Sequence, residues 1–269
     1  MSWTKDTSEQ DAVAYKTSFT KSIVGKYTDS SEQCSVVTSM RLNKNTFLLD
    51  AGCGAGRYLA NTVTDQPFVG LDLSLEMLRM AREELKRGLF VVGELEHLPF
   101  KDNVFDEIIC VRVLQHIKNQ EQAIRELSRV CKMNGDVIVL CLNSWTFHCL
   151  YKNIRMSKLS KVINYPFKLL LGDKAMFSKW SFDYDNYCSL PEVCRLFDKA
   201  GLVVIEKKGG TIGSPWIFNY FYLGRFSEKF VPAILRYYFK ICTFVENRLA
   251  SVFPFNYIMD KIIVKGVKL

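Results

Sequence analysis

No run of apolar residues in this sequence reaches the roughly 18 to 20 needed to cross a bilayer. Its opening stretch, MSWTKDTSEQDAVAYK, also has no apolar core of signal-peptide length. The expectation is a cytoplasmic protein. There is no CxxC and no nearby pair of histidines. The nine cysteines are odd in number and scattered, several of them inside apolar runs such as EIICVRV and DVIVLCL. They are expected as reduced core residues, with no metal site and no disulfide frame. Internal repeats and low-complexity segments are absent as well. What remains is the composition of an ordinary globular protein, 48% hydrophobic and 24% charged, in a chain of 269 residues that can bury one sizeable α/β core.

The net charge of +8 is unevenly spread. Residues 1–47 carry +1, residues 48–142 carry −3 and residues 143–269 carry +10. A basic surface of this kind suits nucleic acid, an anionic membrane face or an acidic acceptor, and it also serves plain solubility, so its sign alone selects no partner.

The pattern predicts a peripheral helix over 10–28 and a second near 31–42. From 46 to 142 strands and helices alternate: TFLLDAG, FVGLDLS, LFVVGEL, VFDEIICVRV and DVIVLCL as strands, with RYLANTV, SLEMLRMAREELKRG and NQEQAIRELSRVCKMNG as helices. Strands rich in Val, Ile and Leu between helices imply parallel βαβ units covered on both faces, hence a doubly wound sheet. Ser74 reads as an N-cap, and Ser189, Pro191 and Gly201 bracket another helix. LVVIEKK and DKIIVKGVK supply a sixth and a seventh strand. The fold expected is therefore a seven-stranded, mainly parallel α/β sheet with a helical, aromatic-rich cap from the C-terminal third.

Four regions follow: an N-terminal helical lid over 1–45, a core over 46–142, a basic aromatic insertion over 143–188, and the end of the sheet over 189–269 with a helical insertion at 214–257. Residues 143–182 hold seven basic side chains against one acid, Asp173, interleaved with Trp145, Phe147, Tyr151, Tyr165, Phe167, Phe177, Trp180 and Phe182.

The strand ending in GCGAGR places Gly52, Gly54 and Gly56 where the chain turns sharply and a ligand can approach the backbone before the next helix. No GK[ST] follows, which argues against a triphosphate loop. The GxGxxG spacing of the dinucleotide fold is also missing, with Arg57 following the last glycine. A tight turn without a ligand stays open on this stretch alone. Asp72, at the tip of the next strand, adds a carboxylate of the kind that a doubly wound fold presents to a ribose diol, though a helix cap uses the same residue.

In order and spacing, LLDAGCGAGRY, FVGLDLS, GELEHLPFKDNVFDEIICVRVLQHI and AIRELSRVCKMNGDVIV resemble the successive motifs of class I S-adenosylmethionine-dependent methyltransferases, in particular the group that includes the quinone-biosynthesis C-methylases. The resemblance implies a Rossmann-like cofactor core and S-adenosyl-L-methionine as cofactor. It places Asp50 and the backbone of Gly52, Cys53, Gly54 and Gly56 at the methionine part, with Arg57 near its carboxylate. Asp72 would take the ribose hydroxyls, Leu73 would pack on adenine, Glu94 would meet the adenine amino group with Leu95 beside it, and Val111 and Arg112 would line the methionine end. Many relatives carry Asp where Glu94 stands. The residue types agree with that chemistry: a sulfonium with a neutral adenosine calls for carboxylates toward hydroxyls and an ammonium, and the turn contains no lysine for phosphates.

Methyl transfer is an in-line displacement, so alignment supplies much of the acceleration, and a base is needed only where the acceptor must lose a proton. His116, just past the fourth strand, is the candidate base, and the competing reading is a histidine fixing its own loop. His148 is a second candidate, whereas His97 is expected at the surface. Tyr15 and Tyr27 are read either as lid residues or as packing. For the acceptor, three readings stand: a helical cap with its own core, an apolar pocket with a basic rim for a lipophilic small molecule held at an anionic membrane surface, or a nucleic-acid groove. The small, hydrophobic acceptor is preferred. A tRNA or protein methylase is the enzymatic alternative, and a catalytically silent scaffold subunit is the non-enzymatic one.

Overall fold

The computed structural model describes residues 8–21, 23–62, 65–145, 186–210 and 232–269. Seven strands form one sheet: β1 (Leu48–Ala51), β2 (Phe68–Asp72), β3 (Leu89–Val92), β4 (Phe105–Val111), β5 (Cys131–Leu142), β6 (Leu202–Gly210) and β7 (Lys261–Lys268), in the spatial order β3-β2-β1-β4-β5-β7-β6. β1 to β5 run parallel, while β7 lies antiparallel between β5 and β6. The expected mainly parallel, seven-stranded sheet is thus the one found. Its order reverses between β1 and β4, and ligands of open α/β sheets bind outside the carboxyl ends of the strands at such a point.

The strands of the centre are apolar on both faces because helices cover both. Leu49, Ile108, Val137 and Val139 belong to a core closed by α5 (Gln120–Val130) and α6 (Leu190–Lys199). Leu48, Ile109, Ile138 and Ile263 face a second core with Val36, Tyr58 and Leu78. The caps read from sequence operate. After α3 (Arg57–Thr62), Ser74 accepts the Met77 N–H at 3.3 Å to start α4 (Leu75–Leu85), and Glu192 accepts the Ser189 N–H at 2.6 Å at the head of α6.

Two boundaries differ from the sequence expectation. The helix read over 10–28 is two, α1 (Glu9–Thr20) and α2 (Ile23–Val37), and the Thr17 hydroxyl donates back to the Ala14 carbonyl, a local bond that competes with helix continuity. KMNG does not end α5 but opens β5. Asn134 has φ 62°, and a Cβ on Gly135 would meet the Asp106 and Lys132 carbonyl oxygens at 2.9 Å, so the chain bulges there and the β4–β5 register shifts between Phe105 and Glu107.

α2 packs against α7 (Pro232–Leu249), where Tyr27 stacks on Phe239 with ring centroids 4.3 Å apart and Ser31 donates to Glu246 at 2.7 Å. Tyr27 is therefore a packing residue of the α2–α7 contact. At the amino ends of the parallel strands, Asp136 is paired with both Arg41 and Lys265, and Glu107 accepts the Arg41 backbone N–H at 3.0 Å, which ties the segment after α2 to the sheet. Cys53, Cys110, Cys131, Cys141, Cys188 and Cys242 are buried free thiols, whereas Cys34 is exposed. Among the described residues no helix is long and apolar enough to cross a membrane, and no group of three or more His, Cys, Asp or Glu side chains is placed to hold a metal ion. Most of 143–188, the first part of 214–257, His148 and the Tyr15 side chain lie outside the described residues.

Candidate functional site

β1 ends by driving a carboxylate into the protein. Asp50 is 1% exposed, and neither of its carboxylate oxygens has a hydrogen-bond partner. Burial, and then the neighbouring Asp72 carboxylate, raises its pKa to about 8, against an opposing pull from Arg57. A buried carboxylate without a partner is costly, so a cationic or hydrogen-bond-donating ligand at this point would be stabilising.

The chain then turns through Gly52, Gly54 and Gly56, at φ 88°, 53° and 78°. Gly52 and Gly56 are glycine for packing as well as for backbone, since a Cβ at the first would run into the Val113 side chain and at the second would stand 2.8 Å from Leu85 Cδ1. Gly54 differs: nothing lies within 4 Å of a Cβ built on it, so this residue borders open space. The turn is pinned from below by β2. Gly52 and Cys53 N–H groups donate to the Leu71 carbonyl at 2.6 and 2.9 Å.

Asp72 closes the other side. It accepts the Gly54 N–H at 2.8 Å and the Ser74 N–H at 2.9 Å, so one carboxylate fixes both the glycine turn and the start of α4. Burial raises its pKa, with those two backbone donors opposing. Two carboxylate oxygens offer about four acceptor positions, which leaves room for a diol. Beside Asp72 lies a cavity of about 270 Å³ lined by Leu73, Val92, Gly93, Glu94, His97 and Pro99. Leu73 and Glu94 thus share one hollow, with Glu94 and His97 exposed at its rim and Leu95 buried behind it.

At the end of β4, Val111 is buried and Arg112 takes φ 61°. Arg112 and Arg57 both turn toward α2. Glu32, fully buried on that helix, accepts from Arg57 at 2.5 Å, from Arg112 at 3.0 Å and from the buried Lys261 at 2.6 Å, while Arg57 also pairs with Asp29 at 2.6 Å. Burial alone would push the Glu32 carboxyl up, but Lys261, Arg112 and Arg57 outweigh it and hold the group well below the usual carboxylate range. The Arg57 guanidinium is accordingly committed to α2.

Glu32 and Lys261 escaped sequence reading. Lys261 left a signal: it opens the run KIIVKGVK between Leu142 and Gly210 in register, and a lysine in a strand flanked on both sides needs a buried carboxylate. Glu32, within DSSEQ, left none.

His116 closes a 3-10 turn, Leu114–His116. Its Nε2 stands 3.3 Å from Gln115 Nε2, which also donates to the Arg112 carbonyl at 2.8 Å. The ring is partly exposed at the carboxyl end of β4 and is tied to the turn that presents Arg112.

The chain is similar to known proteins in sequence and in fold. Residues 49–139 match the family model described as a methyltransferase domain. An uncharacterized protein of Methanocaldococcus jannaschii is 39% identical over 113 residues, covering 42% of this chain and 48% of that protein, so the chain spans about half the length of this relative. A demethylmenaquinone methyltransferase of Staphylococcus aureus is 27% identical over 192 residues, 66% of this chain and 76% of that one. Among solved structures, a methyltransferase of Thermotoga maritima superposes with a TM-score of 0.62 at 18% identity, covering 97% of both chains, a likeness of fold. Sheet order, glycine turn and sequence match coincide in the stretch 49–139, which is the part of the chain that matches the methyltransferase-domain model.

Proposed function

We propose that the protein is an S-adenosylmethionine-dependent methyltransferase acting on O, N or C of a small, hydrophobic acceptor. The observation that carries the cofactor reading is the Asp50 carboxylate, buried and without a hydrogen-bond partner in β1, where the chain runs into the glycine turn. An ammonium next to a carboxylate so placed restores the interaction that burial removed. Asp50 would hold the amino group of the cofactor's methionine part and Asp72 its ribose hydroxyls, with Leu73 and Glu94 at the adenine side. When bound, the cofactor supplies a methyl group activated on a sulfonium.

The chain's own work is orientation and exclusion of water. Asp72 keeps the glycine turn and α4 in register, and the Glu32 cluster holds α2 against the sheet edge. His116, at the end of the turn that follows β4, would serve as a base where an acceptor carries a proton. For the acceptor, support comes from apolar and aromatic side chains at the carboxyl ends of the strands, where Trp145 follows β5 and lies 6.1 Å from the Tyr257 ring. The name of the Staphylococcus aureus relative points the same way.

A silent scaffold is the less favoured reading, because an empty fold gains nothing from an unpartnered buried carboxylate. Calorimetric titration of the whole chain with S-adenosylmethionine tests the proposal. Asp72→Ala is expected to abolish measurable binding while a thermal melt shows a folded protein; unchanged binding in that variant would overturn the cofactor site.

A further inference from the structure

α7 has two apolar faces, and among the described residues one is covered and the other is exposed. Phe239, Cys242 and Glu246 are buried against α2. On the same helix Tyr237, Ile241 and Phe244 are 69%, 48% and 58% exposed. At about 100° per residue the two sets stand roughly half a turn apart, so the second points away from the domain. Arg236, Lys240 and Arg248 surround it and are exposed, and the Arg248 guanidinium lies 4.5 Å from the Phe244 ring centroid. The helix's one acid, Glu246, is on the buried face and bonded to Ser31.

The outward face therefore combines large apolar side chains with cations and carries no carboxylate. Exposed apolar residues continue after the helix at Val252, Phe253 and Phe255. Phe253 meets Tyr257, and Tyr257 meets Trp145 at the carboxyl end of β5. This chain of rings leads toward the sheet edge that holds Lys261 and the candidate site.

We propose that the outward face of α7, with Tyr237, Ile241 and Phe244 at its centre and Arg236, Lys240 and Arg248 around them, docks the protein on the surface of an anionic lipid bilayer. A helix of this make-up lies in the interfacial plane with its apolar residues at the headgroup boundary and its long basic side chains reaching back to the phosphates. A second copy fits the face poorly, because a two-fold contact would set one basic rim against another. Nucleic acid fits it poorly as well, because Ile241 at its centre offers no stacking surface. The inference goes beyond the methyl-transfer reading and stands apart from it, since the test contains no cofactor.

The experiment is flotation of the whole chain with vesicles of phosphatidylcholine alone or mixed with phosphatidylserine. Binding is expected to the mixed vesicles and to weaken with salt. Each of Arg236→Gln and Lys240→Gln should lower it about fivefold. The combined Tyr237→Ser, Ile241→Ser, Phe244→Ser variant should lower it about tenfold or more, with unchanged circular dichroism. The charge variants report independently should the triple variant misfold. Failure of the wild type to float, equal binding to neutral vesicles, undiminished binding by these variants, or a face that instead drives dimerisation in light scattering or retains RNA would each overturn the proposal.

Discussion

The three glycines of the turn look alike in sequence and do different work. Gly52→Ala would force a Cβ into Val113 at positive φ, and a loss of folded protein is expected in a thermal melt. Gly54→Ala meets open space at φ 53°, so the fold should survive at a cost of about 1 kcal/mol while the added methyl obstructs the ligand side. Calorimetry with S-adenosylmethionine beside a melting curve separates the two outcomes. Asp50 makes a pH-dependent prediction. With its pKa raised to about 8, it must ionise to hold an ammonium, so affinity should tighten as pH rises toward about 8 and weaken again above, where the ammonium itself loses its proton. Asp50→Asn should remove that slope and weaken binding about ten- to hundredfold. The ligand-free protein should respond in the opposite sense. The unfolded chain releases this proton near the ordinary carboxylate value and the folded chain keeps it until about 8, so stability falls as pH rises across that interval, and less so in the variant.

At the scale of elements, α2 is the piece that joins both ends of the described chain to the site. Glu32 bonds it to Lys261, Arg57 and Arg112, and Tyr27 and Ser31 bond it to Glu246. Glu32→Gln leaves three cations without their shared charge, and a loss of about 3–5 kcal/mol is expected by urea denaturation near neutral pH. The Glu32 carboxyl is held well below its ordinary range, so its contribution is complete above about pH 4.5 and fades only as pH falls through the lower folded value. Wild type and variant should therefore converge in acid. Sequence periodicity found β1 to β7 because buried parallel strands leave runs such as LLDAG and EIICVRV. It found α4 and α6 because Ser74 and Ser189 mark their starts. It could not place Glu32, whose partners come from distant strands, nor the bulge at Gly135, which depends on the Asp106 carbonyl of the neighbouring strand.

Across the whole molecule, the polar groups divide between the two edges of the sheet. At the carboxyl ends, Asp50 lacks a hydrogen-bond partner, and at the amino ends Asp136 is shared by Arg41 and Lys265. On the proposed reading the first edge serves a ligand and the second anchorage. Hydrogen exchange with and without S-adenosylmethionine should show this division. Added protection is expected in the Gly52–Gly56 turn, at the head of α4 and, through Arg57 and Arg112, in α2, with no change at Arg41 and its surroundings. Uniform protection over both edges would contradict it.

The position of Lys261 also bears on how the protein is made. It begins the antiparallel strand β7, far along the chain from the helix that carries Glu32. During synthesis α2 leaves the ribosome while the last of the three cations that share Glu32 has yet to be translated, and such a long-range pairing forms only once the intervening chain has closed. The nascent βαβ units can gather early around β1 and β4. The seat for α2 is complete only with β7 in place beside β5, so the full Glu32 cluster is expected to close late, after the last strand has been made.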